Sequence, residues 1–326
     1  MNKTSPFAVN KTEQNGRLLQ PSHADRIAVL PGTTLIDNVT NALGKDQVVL
    51  VHNVDIQDAE RLLAETADRF GLLRKLEVQA GFAPIQGHRE RIGKYFMTVN
   101  QRSAYQFIPP HSEGTVKTDM QLAAFYCFQN STDGGETILF NADAGSPSWS
   151  QLFEVTKKIS LEGRKLSPTE ITIAKIRFQL DIPQDCIGQY DRILRELPSP
   201  VPGIRLFDVI TKTNPVHSQI LGRSAPVYWD NAASTDFDSG KEYFELLSGL
   251  GILKLPPGGM DMAQLDNAFP RRVWSSGLSF RSLFRGYIRH KLTAGELVIF
   301  NNLTWTHSTS NWTPDSGVRR VAAAFA

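Results

Sequence analysis

Val48-Val49-Leu50-Val51 is an apolar run of strand length with no polar interruption, and Asp55 follows it where a helix cap belongs. Ala59, Leu62, Leu63, Ala67 and Phe70 then recur at helical spacing as far as Gly71, and Asp58 takes the second place of a capping box. From about residue 92 to 145 the period becomes that of strands. Tyr95 to Val99 is one candidate; Gln121 to Phe128, apolar on both faces, is another; and Gly134-Gly135 is expected to turn the chain into a return strand, Thr137 to Phe140. Residues 150 to 200 carry mixed helical signals with charged faces, and Asn214 to Trp229 is irregular and β-like. Residues 235 to 290, which include PPGGMDM, follow no single period. Leu297 to Phe300, introduced by Ala294-Gly295-Glu296, and Val321 to Phe325 are the closing strands. Strands at both ends of one core with helices between them predict an α+β, β-rich fold, for which a double-sheet jelly roll core with flanking helices is preferred. Residues 1–26 read as a loose polar arm and 27–326 as a single domain, with a helical or lid insertion at about 150–290.

Composition narrows the partners. Of 326 residues, 41% are apolar, enough for a large core, while the net charge of +2 comes with no long basic run. No nucleic-acid partner is expected. No apolar stretch is long enough to span a bilayer and the N-terminus has no signal-peptide core, so neither a membrane nor export is expected and the cytoplasm is the default. Cys127 and Cys186 form no Cys-x-x-Cys pair for zinc, and Cys127, inside LAAFYCF, reads as a small buried hydrophobe.

The chemistry concentrates in His111-Ser112-Glu113. In an extended segment residues i and i+2 point to the same side, so an imidazole and a carboxylate converge. His307, in the loop-like stretch NNLTWTHSTSN, is the best third ligand. Two imidazoles and one carboxylate on one face of a metal leave three positions open, the arrangement of non-haem Fe(II) oxygenases. By itself His-x-Glu reads more readily as a surface ion pair or a satisfied histidine. Two neighbours change the weighing. Asp133-Gly134-Gly135-Glu136-Thr137 lies about 20 residues after Glu113, and Gly317-Val318-Arg319-Arg320 follows His307. An arginine in that place suits the distal carboxylate of a keto diacid.

The order of these motifs resembles the taurine dioxygenase and clavaminate synthase-like family. The stretches that carry the resemblance are HSEGTVKTDMQLAAFYCFQNSTDGGETILFNAD and AGELVIFNNLTWTHSTSNWTPDSGVRRVAAAF, with a looser match at VVLVHNVD and its helix. The resemblance implies an oxidoreductase, a dioxygenase using Fe(II), 2-oxoglutarate and O₂. It implies iron ligands His111, Glu113 and His307, and a 2-oxoglutarate carboxylate held by Thr137 and Arg319, with Arg320 the alternative one register on. Neighbouring strand residues face opposite ways, so only one of the two arginines can serve. Two departures are mild, Gly295-Glu296 and Asn301-Asn302 for the family's Gly-Asp and Asp-Asn; a third, Ala323 or Ala324 where some members carry a further arginine that contacts an acidic substrate, speaks against a sulfonate or carboxylate clamp of that type. A retained Glu113 implies hydroxylation or desaturation rather than halogenation. The substrate expected is a small molecule, an amino acid or a natural-product intermediate. Tyr95, Phe107 and Trp305 are either core or pocket wall, and His23, His52, His88, His217 and His290 read as structural or surface residues. Two rivals stand beside this reading: a zinc hydrolase on the same His/Glu/His set, and a non-catalytic jelly-roll binding protein.

Overall fold

The computed structural model describes residues 20–21, 24–82, 89–99, 104–114, 118–151, 153–178, 180–182, 184–189, 191–199, 204–212, 215–227, 239–260 and 280–326. The fold is mixed α/β and strand-rich. A seven-stranded sheet runs β2 (Ile27–Pro31), β3 (Val48–His52), β15 (Glu296–Asn301), β7 (Leu122–Asn130), β17 (Arg319–Phe325), β5 (Phe96–Thr98), β4 (Arg91–Ile92). A five-stranded sheet runs β1 (Gln20–Pro21), β14 (Phe284–His290), β8 (Thr137–Ala142), β16 (Trp305–Thr309), β6 (Ile108–His111). A three-stranded sheet joins β10 (Arg192–Leu197), β11 (Arg205–Lys212) and β9 (Phe153–Ser160), and β12 (Val216–Ser218) pairs with β13 (Arg223–Ala225). The helices are α1 (Ile36–Gly44), α2 (Ile56–Arg69), α3 (Leu73–Phe82), α4 (Pro168–Phe178) and α5 (Ser239–Gly249).

The alternation along each strand explains the layers. On β7, β15 and β17, Ala124, Tyr126, Leu297, Ile299, Ala322 and Ala324 pack with Val39, Leu43, Leu62 and Leu63 of α1 and α2. Their neighbours Phe125, Cys127, Val298, Phe300, Ala323 and Phe325 turn the other way and meet Leu139 of β8 and Trp305 of β16. The outer face of the five-stranded sheet, Ile138, Phe140 and Tyr287, is covered by Tyr243 and Leu247 of α5. Both faces of both sheets are therefore covered, which is why β7 and β15 read as continuous apolar runs. The α2 cap is half of the expected box. Asp55 accepts from the Asp58 amide at 2.8 Å, but the Asp58 carboxylate turns outward to Arg61.

Several sequence expectations need correcting. β7 and β8 do not form a hairpin, for they belong to different sheets and Asp133-Gly134-Gly135 carries the chain between them. A Cβ at Gly134 would stand 2.0 Å from the Asn311 carbonyl oxygen, so the glycine permits a backbone crossing rather than a reverse turn. His307 lies within β16, not in a loop. The Thr and Ser residues that suggested a loop are buried in the middle of a sheet, and Thr is itself a good strand former. Residues 150 to 200 hold β9 and β10 as well as α4, so the insertion is less helical than expected. β10 is exposed along almost its whole length, and such a solvated strand carries charges that mimic a helix face. The last part of the supposed arm is structured. Gln20–Pro21 pairs with β14 and Ala24–Arg26 forms a 3₁₀ turn. Residues 1–19, His23, His88 and much of the suspected lid, 228–238 and 261–279, lie outside the described residues. Among the described residues no helix is long and apolar enough to cross a membrane.

Candidate metal centre

β16 is hydrogen-bonded between β8 and β6, and its register sets His307 directly opposite His111, the last residue of β6. Paired residues on antiparallel strands project to the same face. The two imidazoles accordingly meet, with ring centroids 4.3 Å apart. Glu113 lies two residues beyond His111, and its Oε1 is 3.7 Å from His111 Nε2 and 3.8 Å from His307 Nε2. One ligand atom from each of the three residues lies within 4.8 Å of the others, so the set could hold a metal ion.

Each ligand is held by its surroundings. His111 Nδ1 donates to the Pro109 carbonyl at 2.9 Å; a carbonyl can only accept, so Nε2 keeps its lone pair for a metal. The His307 ring rests among Phe125, Phe300 and Phe325, with centroids 4.9, 6.0 and 6.3 Å away. Asn302, fully buried in the β15–β16 connection, grips the backbone of Glu113 from both sides. Its Oδ1 accepts from the Glu113 amide at 3.1 Å and its Nδ2 donates to the Glu113 carbonyl at 2.9 Å. The same Nδ2 reaches the Met120 carbonyl at 2.8 Å. Sequence reasoning noted Asn301-Asn302 as a departure from a pattern but did not see this clamp. Burial would push the Glu113 carboxyl up, but hydrogen bonding and charge from a protonated His111, with the charges of His307 and Arg89, would carry it down to about 2, and a metal cation in place of the two imidazole protons acts in the same direction. An ionised carboxylate between two imidazole nitrogens suits a divalent first-row metal.

The two arginines part company. On β17, Val321, Ala323 and Phe325 face the inter-sheet core, and Arg319, in step with them, turns the same way. It lies beside Gly135, and its guanidinium is 5.6 Å from the Trp312 ring. Its Nε is buried with no hydrogen-bond partner among the described residues. Burial pulls its pKa down to about 10, against a smaller opposing effect from Cys127. Arg320 is exposed and lies over Phe128 on the opposite face. Thr137 is buried at the start of β8, opposite Thr309 and two residues from Leu139, the partner of His307. Among the other residues singled out, Tyr95, Phe107 and Trp305 are core side chains. Cys127 is buried, and burial pushes its thiol up to about 11.

No protein-family model matches the chain, and no curated protein sequence does. Solved structures similar in outline include AAD-2 in complex with Mn(II) and N-oxalylglycine, at 10% identity, covering 94% of this chain and 96% of that one, with a TM-score of 0.43. A taurine dioxygenase from Burkholderia xenovorans follows at 12% identity, 94% and 88% coverage and a TM-score of 0.41. PvcB, an Fe, alpha-ketoglutarate dependent oxygenase from an isonitrile synthetic pathway, has 10% identity, 92% and 84% coverage and a TM-score of 0.42. Likenesses of this degree assign neither a ligand nor a reaction to the present chain.

Proposed function

We propose that the protein is an Fe(II)- and 2-oxoglutarate-dependent oxygenase acting on an unactivated C–H bond of a small metabolite, and that its paired sheets are a double-stranded β-helix, or jelly roll. The observation that carries the reading is the His111, Glu113, His307 cluster, whose ligand atoms lie within 4.8 Å of one another. The donor set fits iron in kind: two neutral nitrogen donors and one ionised carboxylate, with the remaining positions free for a cosubstrate. When bound, iron with 2-oxoglutarate and O₂ supplies the oxidising power, releasing succinate and CO₂.

The chain's own residues bind and orient. Arg319 supports 2-oxoglutarate over a hydrolase reading, because a buried guanidinium without a partner at Nε is costly unless an anion comes to it. His307 rests on Phe125, whose partner on β17 is Ala323, four residues from Arg319. That is a strand length of about 13 Å, which an arginine side chain and a five-carbon diacid share between them. Thr137, buried at the start of β8, is suited to hydrogen-bond the same distal carboxylate. The aromatic wall of Phe125, Phe300 and Phe325 keeps His307 in one orientation and excludes water from its side of the metal. An amino acid or natural-product intermediate is the substrate class favoured, with hydroxylation or desaturation as the outcome.

The test is iron-dependent formation of succinate from 2-oxoglutarate. It is expected in the wild type and absent in His111→Ala. Unchanged succinate in that variant would remove His111 from the site, and hydrolysis of an ester or amide without 2-oxoglutarate would favour the zinc reading.

A further inference from the structure

Arg319 and Thr137, the two residues assigned above to one distal carboxylate, come from opposite sheets, so the gap between those sheets decides whether both can reach it. Thr137 has His290 directly opposite it on β14. Arg319 shares β17 with Val321, whose partner on β7 is Cys127, and Cys127 is paired in turn with Glu296, the first residue of β15. Paired residues project to one face. His290 therefore shares a face with Thr137, and Glu296 shares one with Cys127 and Val321, which belong to the core between the sheets. Across that space His290 Nε2 lies 2.8 Å from Glu296 Oε2. The rest of the carboxylate is also held. Oε2 accepts from the Thr293 amide at 2.7 Å, and Oε1 lies 2.6 Å from His52 Nδ1 on β3.

An ionised carboxylate can only accept, so both ring nitrogens donate to it, and charge-assisted bonds of this length fix direction as well as distance. The apolar contacts around them, such as those of Leu139 with the opposite sheet, are non-directional and let packed surfaces slide. On the function proposed above, sliding matters, because two groups that share one carboxylate must be placed to within about half an ångström. We propose that Glu296 and His290 are positioning residues that fix the gap between Arg319 and Thr137, and with it the length of keto diacid the pocket takes. They act through the strands: His290 through the β14–β8 pairing on Thr137, Glu296 through β7 on Arg319 of β17. His52 and the Thr293 amide keep the Glu296 carboxylate aimed across the gap. The ligand selected is the five-carbon diacid over its homologue with one more methylene. This inference rests on the proposed function.

The experiment uses the full chain, anaerobic, with Mn(II) bound. Calorimetry gives the affinity for 2-oxoglutarate and for 2-oxoadipate, its homologue one methylene longer. Wild type is expected to prefer 2-oxoglutarate by about tenfold or more, the usual worth of a methylene in a fitted pocket. His290→Val, which suits a strand and loses the donor, should weaken 2-oxoglutarate by about tenfold and narrow the preference to about threefold, with Mn(II) affinity within about twofold of wild type. His290→Gln, whose amide can still donate to Glu296, should recover most of the preference. Leu62→Ala, which weakens the core on the helix side of the seven-stranded sheet, is the control for general loss of stability and should keep the preference. Should His290→Val not fold, His290→Asn, polar but too short to reach Glu296, decides by the same comparison. A wild-type preference in His290→Val overturns the inference, as does a Gln variant no better than the Val one. Equal narrowing in Leu62→Ala, a parallel loss of Mn(II) affinity, or a wild type that binds both acids alike also overturns it. Wild-type protein that binds no Mn(II) or no 2-oxoglutarate overturns the proposed function and this inference with it.

Discussion

Arg319 and Arg320 are adjacent in the chain but face opposite sides of a sheet, one half-buried beside Gly135 with its Nε out of solvent and the other exposed over Phe128. If Arg319 anchors the cosubstrate, Arg319→Ala should weaken 2-oxoglutarate binding by about ten- to a hundredfold, as for loss of a buried charge-assisted hydrogen bond. Arg320→Ala should change it by less than about threefold. Calorimetry on the metal-bound protein separates the two, and equal effects would contradict the assignment. The sequence left this choice open for a physical reason. Residues 321–325 are apolar on both faces of a doubly covered strand, so no polar alternation marked which side was inside. The ligands were easier to read, since His111 and Glu113 lie two apart and chain geometry alone aligns them. Asn302 and Arg89 were not legible, because each acts on a residue far away in sequence. Replacing Asn302 with Ala removes three hydrogen bonds that fix the backbone around Glu113. Metal affinity is then expected to fall by roughly tenfold, as for other losses of the shell behind a ligand. Affinity equal to wild type would show that Glu113 needs no such clamp.

At the scale of elements, strands with strongly apolar sequences announced themselves, and β16 did not. Its buried Thr306, His307 and Ser308 look polar on paper, yet the backbone of this strand is satisfied by β8 and β6 on either side. The same blindness applies to Asp133-Gly134-Gly135, where a turn signal marks a crossing between sheets. The connection is fastened by Asp133, which accepts from the Thr313 amide at 2.8 Å and the Ser316 hydroxyl at 3.0 Å. Gly134→Ala would drive a methyl group into the Asn311 carbonyl, which is backbone and cannot step aside. A loss of about 1–3 kcal/mol in urea unfolding is expected, the usual range for overpacking. Gly44→Ala, with open space around it, serves as the control and should stay within about 0.5 kcal/mol. Equal stability of the two variants would mean that the crossing tolerates displacement.

Across the whole molecule, the site depends on how the two sheets are joined. Glu296 at the start of β15 is buried, with one oxygen 2.6 Å from His52 Nδ1 of β3 and the other 2.8 Å from His290 Nε2 of β14. It also accepts from the Thr293 amide at 2.7 Å. A carboxylate that sequence reading passed over as a mild departure thus bridges the seven-stranded sheet to the five-stranded one. Burial pushes this carboxyl up, but the Thr293 amide and the two histidines outweigh it and hold it below the ordinary range. A group depressed in the folded state adds stability above its unfolded pKa, about 4.3, and loses it as pH falls through the folded value. Wild type should therefore exceed Glu296→Gln in stability at neutral pH, with the gap closing as the solution is taken below about pH 4. A gap that persists unchanged in acid would place the effect in packing rather than charge.

The pairing of β16 with β6 sets His307 opposite His111, Glu113 follows two residues on, and the meeting of these three side chains is the central claim. Its most direct test is anaerobic titration of the protein with Fe(II) and 2-oxoglutarate, following the weak visible charge-transfer band of the iron–keto acid chelate. The band should appear in the wild type, saturate at one equivalent of iron and be absent in His307→Ala. Iron demonstrably bound with no band on adding 2-oxoglutarate, or a band that survives in His307→Ala, would contradict it.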